Sequence, residues 1–231
     1  MLNRRGKFSG NASSIRAVIF DYGEVLCRMA PLERFAPMAR ILNISPQRLV
    51  QQYSQNRLDY DRGDLTASEY WTGFAQESGV TLTDGQVDEL NRRDCELWWD
   101  IDPSLMDWTD RLRASGIKAG VISNMFIGLA EQIRAGAPWL DRFDDYTFSA
   151  EIRATKPDPA IYRHSLQQMR VDAHEALFLD DREANVIGAR AVGMEALVYS
   201  TPGRLREDLE AWGFPILPGV SSERVPAIRT S

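Results

Sequence analysis

The sequence predicts an α/β protein, a parallel sheet covered by helices on both faces and interrupted by one helical insertion. Three observations carry this. Short β-rich segments lack the two-fold alternation of a half-exposed strand. Helical patterns separate the later ones, as βαβ units require. Directly after the first segment comes a long stretch with helical periodicity and no convincing strand.

Four segments read as buried strands: Ile15–Phe20, Ile117–Ile122, Ala176–Leu179 and Ala196–Tyr199, with a weaker one at Tyr146–Phe148. Asp102-Pro103 supplies a cap and a first-turn proline for a helix ending near Gly116. Asp158 caps a second through Ile161, Leu166 and Met169, and a third runs from Glu183 to Val192, stopped by Gly193. In the stretch from about Cys27 to Trp99, Leu32, Phe35, Ala39 and Leu42 share one helical face. Ser45-Pro46 opens the next helix, with Leu49, Val50 and Tyr53 on its apolar side. Thr66…Glu69 and Thr83…Gln86 both fit the capping box, in which the side chains at the two positions satisfy each other's backbone N–H groups. The expected core is 15–26 with 100–215 and the expected cap 27–99. Residues 1–14 and 220–231 read as loose tails.

The 231 residues are 44% hydrophobic and 26% charged, an ordinary balance for a chain that buries a core. The net charge of −6, with no dense Lys/Arg run, argues against a nucleic-acid partner. Two cysteines, Cys27 and Cys95, make neither a disulfide framework nor a metal knuckle and read as reduced thiols. No run reaches the roughly eighteen apolar residues of a membrane helix, and nothing near the start resembles a signal peptide, so the expected location is cytoplasmic. The sequence does not indicate an oligomeric state.

In an open α/β sheet, ligands bind beyond the carboxyl ends of the strands, at a topological switch point. The residues at those ends are Asp21, Ser123-Asn124 and Asp180-Asp181, with Lys156-Pro157 a short loop beyond the weak strand. A single acid after a strand is commonly a helix cap. Several acids, a lysine and a hydroxyl converging on one edge make a constellation for a phosphate and a metal.

The ordered series Val18-Ile19-Phe20-Asp21-Tyr22-Gly23-Glu24-Val25-Leu26, Val121-Ile122-Ser123-Asn124, Lys156-Pro157-Asp158-Pro159-Ala160-Ile161-Tyr162 and Phe178-Leu179-Asp180-Asp181 resembles the four motifs of the haloacid dehalogenase (HAD) superfamily. It is most similar to the branch of sugar-phosphate phosphatases and epoxide-hydrolase phosphatase domains. The resemblance implies a Rossmann-like core with an inserted α-helical cap. It also implies a Mg²⁺-dependent phosphatase acting on a small phosphorylated substrate. By position, Asp21 is the implied nucleophile, with Lys156 and Asp180 as further catalytic residues. Ser123, the backbone around Asn124, opening the next helix, and Lys156 are the implied phosphate ligands. Asp21, the Gly23 carbonyl and Asp181 are the implied Mg²⁺ ligands.

Two positions depart from that pattern. Gly23 stands where most relatives carry a second Asp that serves as general acid and base, help worth about 10²–10⁴-fold. Neighbouring Glu24 lies on a segment read as extended, which turns it to the other side. Asn185 replaces another acid, and its amide can hydrogen-bond near the site without adding charge. Two alternatives stay open. One is a metal-independent 2-haloacid dehalogenase, favoured by Gly23 and Ser123-Asn124 but opposed by the mutual repulsion of Asp180 and Asp181 without a cation. The other is a non-catalytic binding protein. His164, His174, Trp71, Trp98, Trp99 and Arg62 read as structural or solvated.

Overall fold

The computed structural model describes residues 8, 10–53 and 57–219. Its strands are β1 (Ala17–Phe20), β2 (Cys27–Arg28), β3 (Asp100–Ile101), β4 (Lys118–Ser123), β5 (Asp145–Phe148), β6 (Ala176–Asp180) and β7 (Glu195–Val198). Five of them form one parallel sheet in the order β5-β4-β1-β6-β7. Every residue of β1 is buried, because both sheet faces are covered. Val18 and Phe20 pack on one face with Val121, Leu177 and Leu179, whereas Ala17 and Ile19 join Ile122 and Phe178 on the other. Two apolar faces explain why the strand shows no alternation in sequence. All five expected strands are present, displaced by one or two residues at their ends.

The helices are α1 (Ala36–Ile41), α2 (Pro46–Tyr53), α3 (Leu58–Asp61), α4 (Ala67–Gln76), α5 (Asp84–Glu96), α6 (Pro103–Ala114), α7 (Ile127–Gly136), α8 (Ser149–Ile152), α9 (Pro159–Met169), α10 (Glu183–Ala191) and α11 (Pro202–Trp212). Helices α9 and α10 cover one face of the sheet through Ile161, Leu166, Val186 and Ala189. Leu105, Trp108 and Leu112 of α6 and Leu205 and Leu209 of α11 pack on the opposite face. The Asp102 and Asp158 caps form as expected, each side chain accepting from an N–H two residues on. Both capping boxes also form, with Thr66 N–H donating to Glu69 Oε2 at 2.8 Å and Thr83 N–H to Gln86 Oε1 at 3.0 Å.

The stretch between β1 and β4 departs from expectation in two places. Cys27–Arg28, read as strand-free, pairs antiparallel with Asp100–Ile101, so the inserted block hangs from a two-stranded root. The first expected helix is divided into a 3₁₀ turn over Leu32–Phe35 and α1, with Pro37 in the first turn of α1. Proline is tolerated there because its missing N–H would have had no helical partner. Leu32 is consequently exposed while Phe35, Ala39 and Leu42 are buried.

The expected N-terminal tail is corrected from Gly10 onward. Gly10 N–H donates to Glu195 Oε1 at 2.6 Å, Trp212 Nε1–H donates to its carbonyl at 3.0 Å, and residues Ala12–Ser14 form a capped turn. Residues 1–7, 9 and 220–231 lie outside the described residues. Cys27 and Cys95 are buried free thiols, and no described helix is long and apolar enough to cross a membrane.

Candidate active site

Asp21 is the first residue beyond β1, and its N–H donates to the Leu179 carbonyl at 2.8 Å, which fixes it at the carboxyl edge of the sheet. Asp180 ends β6 and Asp181 follows it, while Lys156 reaches the same point from the loop after α8. Lys156 Nζ lies 2.6 Å from Asp21 Oδ1, 2.7 Å from Asp180 Oδ2 and 3.1 Å from the Ile122 carbonyl. Those three acceptors match the three donors of an ammonium group.

The two acids that share Lys156 sit in different environments. Asp180 also accepts from Arg182 N–H at 2.8 Å, and the Asn185 Nδ2 amide group donates to both of its oxygens, at 2.9 and 3.0 Å. Burial works against its charge, but Lys156 and these donors outweigh burial and hold the carboxyl below its usual range. Asp21 has Lys156 and the Tyr22 N–H at 2.6 Å. Burial pushes Asp21 well above the usual carboxylate range, and Asp180 and Asp181 add to this against the pull of Lys156. Burial and Asp180 raise Asp181 as well. Burial also opposes the Lys156 charge, but Asp180 and Asp21 more than compensate and keep the ammonium protonated.

This imbalance is the test of whether a cation fits. Oxygens of Asp21, Asp180 and Asp181 lie within 4.8 Å of one another, and one lysine stands against three acids. The cluster therefore carries more negative charge than it neutralises. Hard carboxylate oxygens in this number and spacing suit Mg²⁺.

The remaining expected residues lie around this cluster. Ser123 is buried at the end of β4, one residue past the carbonyl that receives Lys156. The expectation that Asn124 opens the next helix is corrected. Its side chain clamps the Lys156 main chain, donating to the Lys156 carbonyl at 3.0 Å and accepting from its N–H at 2.8 Å. The following helix, α7, opens only at Ile127. A ligand would therefore meet the Asn124 backbone rather than its amide.

Glu24 is not on an extended segment. It adopts φ 60° in a turn closed by Cys27 N–H to the Tyr22 carbonyl at 2.7 Å, and its exposed side chain accepts from Met29 N–H at 2.9 Å.

Sequence reasoning missed two residues that frame the site. Tyr22, beside Asp21, donates through its hydroxyl to the Trp98 carbonyl at 2.6 Å. Ser149 accepts from Met125 N–H at 2.9 Å and donates to the Asp61 carbonyl of the helical block. The strand-end rule applied to β5 would have found Ser149. Nothing in the sequence pairs Tyr22 with a residue 76 positions away.

The profile of haloacid dehalogenase-like hydrolases matches residues 15–193. The chain belongs to this family. It is a hydrolase by that membership, and its Rossmann-like sheet is the one the family shares. Over 194 residues it is 26% identical to the sesquiterpene phosphatase astK of Aspergillus oryzae, spanning 80% of this chain and 90% of that one. It is 25% identical over 196 residues to the 6-phosphogluconate phosphatase of Escherichia coli, covering 81% and 83% of the two chains. A solved HAD family enzyme of Bacteroides thetaiotaomicron, bt-2542, in complex with magnesium and inorganic phosphate, has the same fold. Its TM-score is 0.65 at 21% identity, over 80% of this chain and 94% of that one.

Proposed function

We propose that this hydrolase is a Mg²⁺-dependent phosphatase that cleaves a small phosphate monoester from the cytoplasmic metabolite pool through an aspartyl-phosphate on Asp21. The observation that carries the reading is the excess of acid at the strand ends: three carboxylates within 4.8 Å of one another and a single lysine among them. Attack at carbon, as in a dehalogenase, gives no reason for Asp181. Binding without turnover gives none for a nucleophile hydrogen-bonded to a buried lysine. The two phosphatase relatives matched over about four-fifths of the chain support hydrolysis of phosphate esters.

In this scheme an Asp21 carboxylate oxygen attacks phosphorus, and the bond from phosphorus to the ester oxygen breaks with the electron pair leaving on oxygen. Water then attacks the aspartyl-phosphate, releases inorganic phosphate and regenerates the carboxylate. Two easier displacements replace one difficult one. Lys156 stays protonated, orients Asp21 and opposes charge on the transferring group. Ser123 and the backbone N–H groups after β4 donate to phosphate oxygens. Asp180 holds Lys156, and Asn185 with the Arg182 N–H holds Asp180. Mg²⁺, bound by Asp21, Asp181 and the Gly23 carbonyl, would screen the acids and polarise the phosphoryl oxygens.

Phosphate release from a panel of phosphorylated metabolites, with Mg²⁺ and with EDTA, tests the reading, and short 2-haloacids serve as the counter-panel. Asp181→Asn should weaken Mg²⁺ binding in calorimetry by more than the 10–100-fold typical of a merely supporting residue. Activity indifferent to both EDTA and this substitution would overturn the phosphatase assignment. The relatives named differ in leaving group, one apolar and one a sugar acid, so likeness alone does not select the substrate.

A further inference from the structure

The position two residues beyond Asp21 holds glycine for a reason visible in the fold. Gly23 is outside the left-handed region, so its backbone does not demand glycine. Space does. A Cβ built there would lie 3.2 Å from Trp98 Cζ3, with two further indole atoms at 3.7 and 3.9 Å. The Trp98 ring thus lies over the backbone of the turn that follows the nucleophile.

The ring is tethered at both ends. Trp98 Nε1–H donates to Tyr53 Oη at 3.0 Å, and Tyr53 in turn bonds the fully buried Asp94. The Trp98 carbonyl receives the Tyr22 hydroxyl at 2.6 Å, so the residue is tied to the neighbour of Asp21. Trp98 is nevertheless only partly buried. The adjacent acid, Glu24, is exposed and caps the turn at Met29.

We propose that Trp98 is the specificity-determining contact for the leaving group: its indole occupies the space over Gly23, excludes a proton-donating side chain there, and selects phosphate esters of flat, apolar alcohols such as phenols. This rests on the phosphatase reading above. A phenolate leaves with the bond pair and takes its proton afterwards from water, so no acid at position 23 is needed. The indole face adds an aromatic contact that a primary alkyl group cannot make, worth about fivefold in affinity.

The test compares substituted phenyl phosphates with primary alkyl phosphates in the wild type and in Trp98→Leu, Trp98→Phe and Gly23→Asp/Trp98→Leu. The wild type should show a steep dependence of rate on leaving-group acidity. Trp98→Leu should raise KM for phenyl esters about fivefold while changing alkyl KM less than twofold, and Trp98→Phe should retain the preference. Gly23→Asp/Trp98→Leu should flatten the dependence and speed alkyl esters by about tenfold or more, toward the range of general acid catalysis. Calorimetry on the wild-type enzyme with Mg²⁺ supplies a measurement that needs no variant: phenylphosphonate should bind about fivefold more tightly than methylphosphonate. Equal affinity for the two phosphonates, or an unchanged phenyl-to-alkyl ratio in Trp98→Leu, overturns the proposal. If the wild type hydrolyses neither ester class but releases phosphate from the metabolite panel, this inference falls and the phosphatase reading stands; if it releases phosphate from none, both fall.

Discussion

The core and the helical block each bury a cation among acids, and the two clusters are resolved differently. At the strand ends Lys156 faces Asp21 and Asp180, with Asp181 beyond them. In the block Arg57 faces Asp94 through two contacts, at 2.9 and 3.1 Å, and Asp61 at 3.2 Å. Tyr53 also bonds Asp94, and the guanidinium lies over the rings of Tyr53 and Phe126, at 4.3 and 4.7 Å from their centroids. Burial disfavours the Arg57 charge, yet Asp61 and Asp94 override it and raise its pKa. The block's cluster is closed by donors and ring faces. The core's cluster gives Asp21 fewer partners, and burial, with Asp180 and Asp181 adding to it, raises its pKa against the pull of Lys156. One arrangement joins two parts of the molecule, since Phe126 belongs to the core, and the other gathers three carboxylates whose oxygens lie within 4.8 Å of one another.

The sharpest way to break this contrast is to remove one group from each cluster. Asp21→Asn should lower turnover by at least about 10⁴-fold, as loss of a nucleophile does. Its melting temperature should be unchanged or higher, because a charge leaves an over-acidic site. Steady-state kinetics with calorimetric melting checks both, and retained turnover would end the covalent scheme.

Arg57→Met should do the reverse. It strands Asp94 and Asp61 in the interior and should cost about 3–5 kcal/mol in urea unfolding. Arg57→Met/Asp61→Leu/Asp94→Leu should recover much of that loss, because well-packed apolar groups can replace a buried ionic cluster. A marginal cost for Arg57→Met alone would show that the cluster does not hold the block.

The smallest effect is in pH. Burial raises Asp61 to about 6, against which Arg57 pulls only in part. A raised carboxyl favours the folded state below its unfolded value near 3.8, and that benefit disappears as pH rises to about 6. Asp61→Asn should therefore gain on the wild type by roughly 2 kcal/mol between pH 4 and pH 7. Unfolding midpoints for both proteins across that range measure it, and parallel curves would contradict the cost of the buried charge.

Much of the active edge was legible before the fold was known. Strand ends, a lysine and paired acids are local signals, and a parallel sheet must gather the ends of its strands on one edge. Asn185 was legible for the same reason, lying one helical turn beyond Asp180. Asn124 was legible as a position, but its use was not, because its amide engages a backbone 32 residues away. The turn at Glu24 was misread because a left-handed φ at a glutamate leaves no pattern in composition or periodicity.

The sequence by itself determined the sheet, both capping boxes, the Asp102 and Asp158 caps and the gathering of Asp21, Lys156, Asp180 and Asp181 at one strand edge. Each depends on residues within a few positions of one another or on a periodic apolar face. Tertiary structure alone decided how the helical block meets the core. The Arg57–Asp94 pair, the Ser149 contact with the Asp61 carbonyl and the Trp98 ring against Gly23 join residues 37 to 88 positions apart. Such contacts arise from the shape of two packed surfaces, and shape at that distance is not encoded in the spacing of neighbouring residues. Gly23 shows the difference most plainly: in the sequence it is a missing acid, and in the fold it is the space that an indole requires.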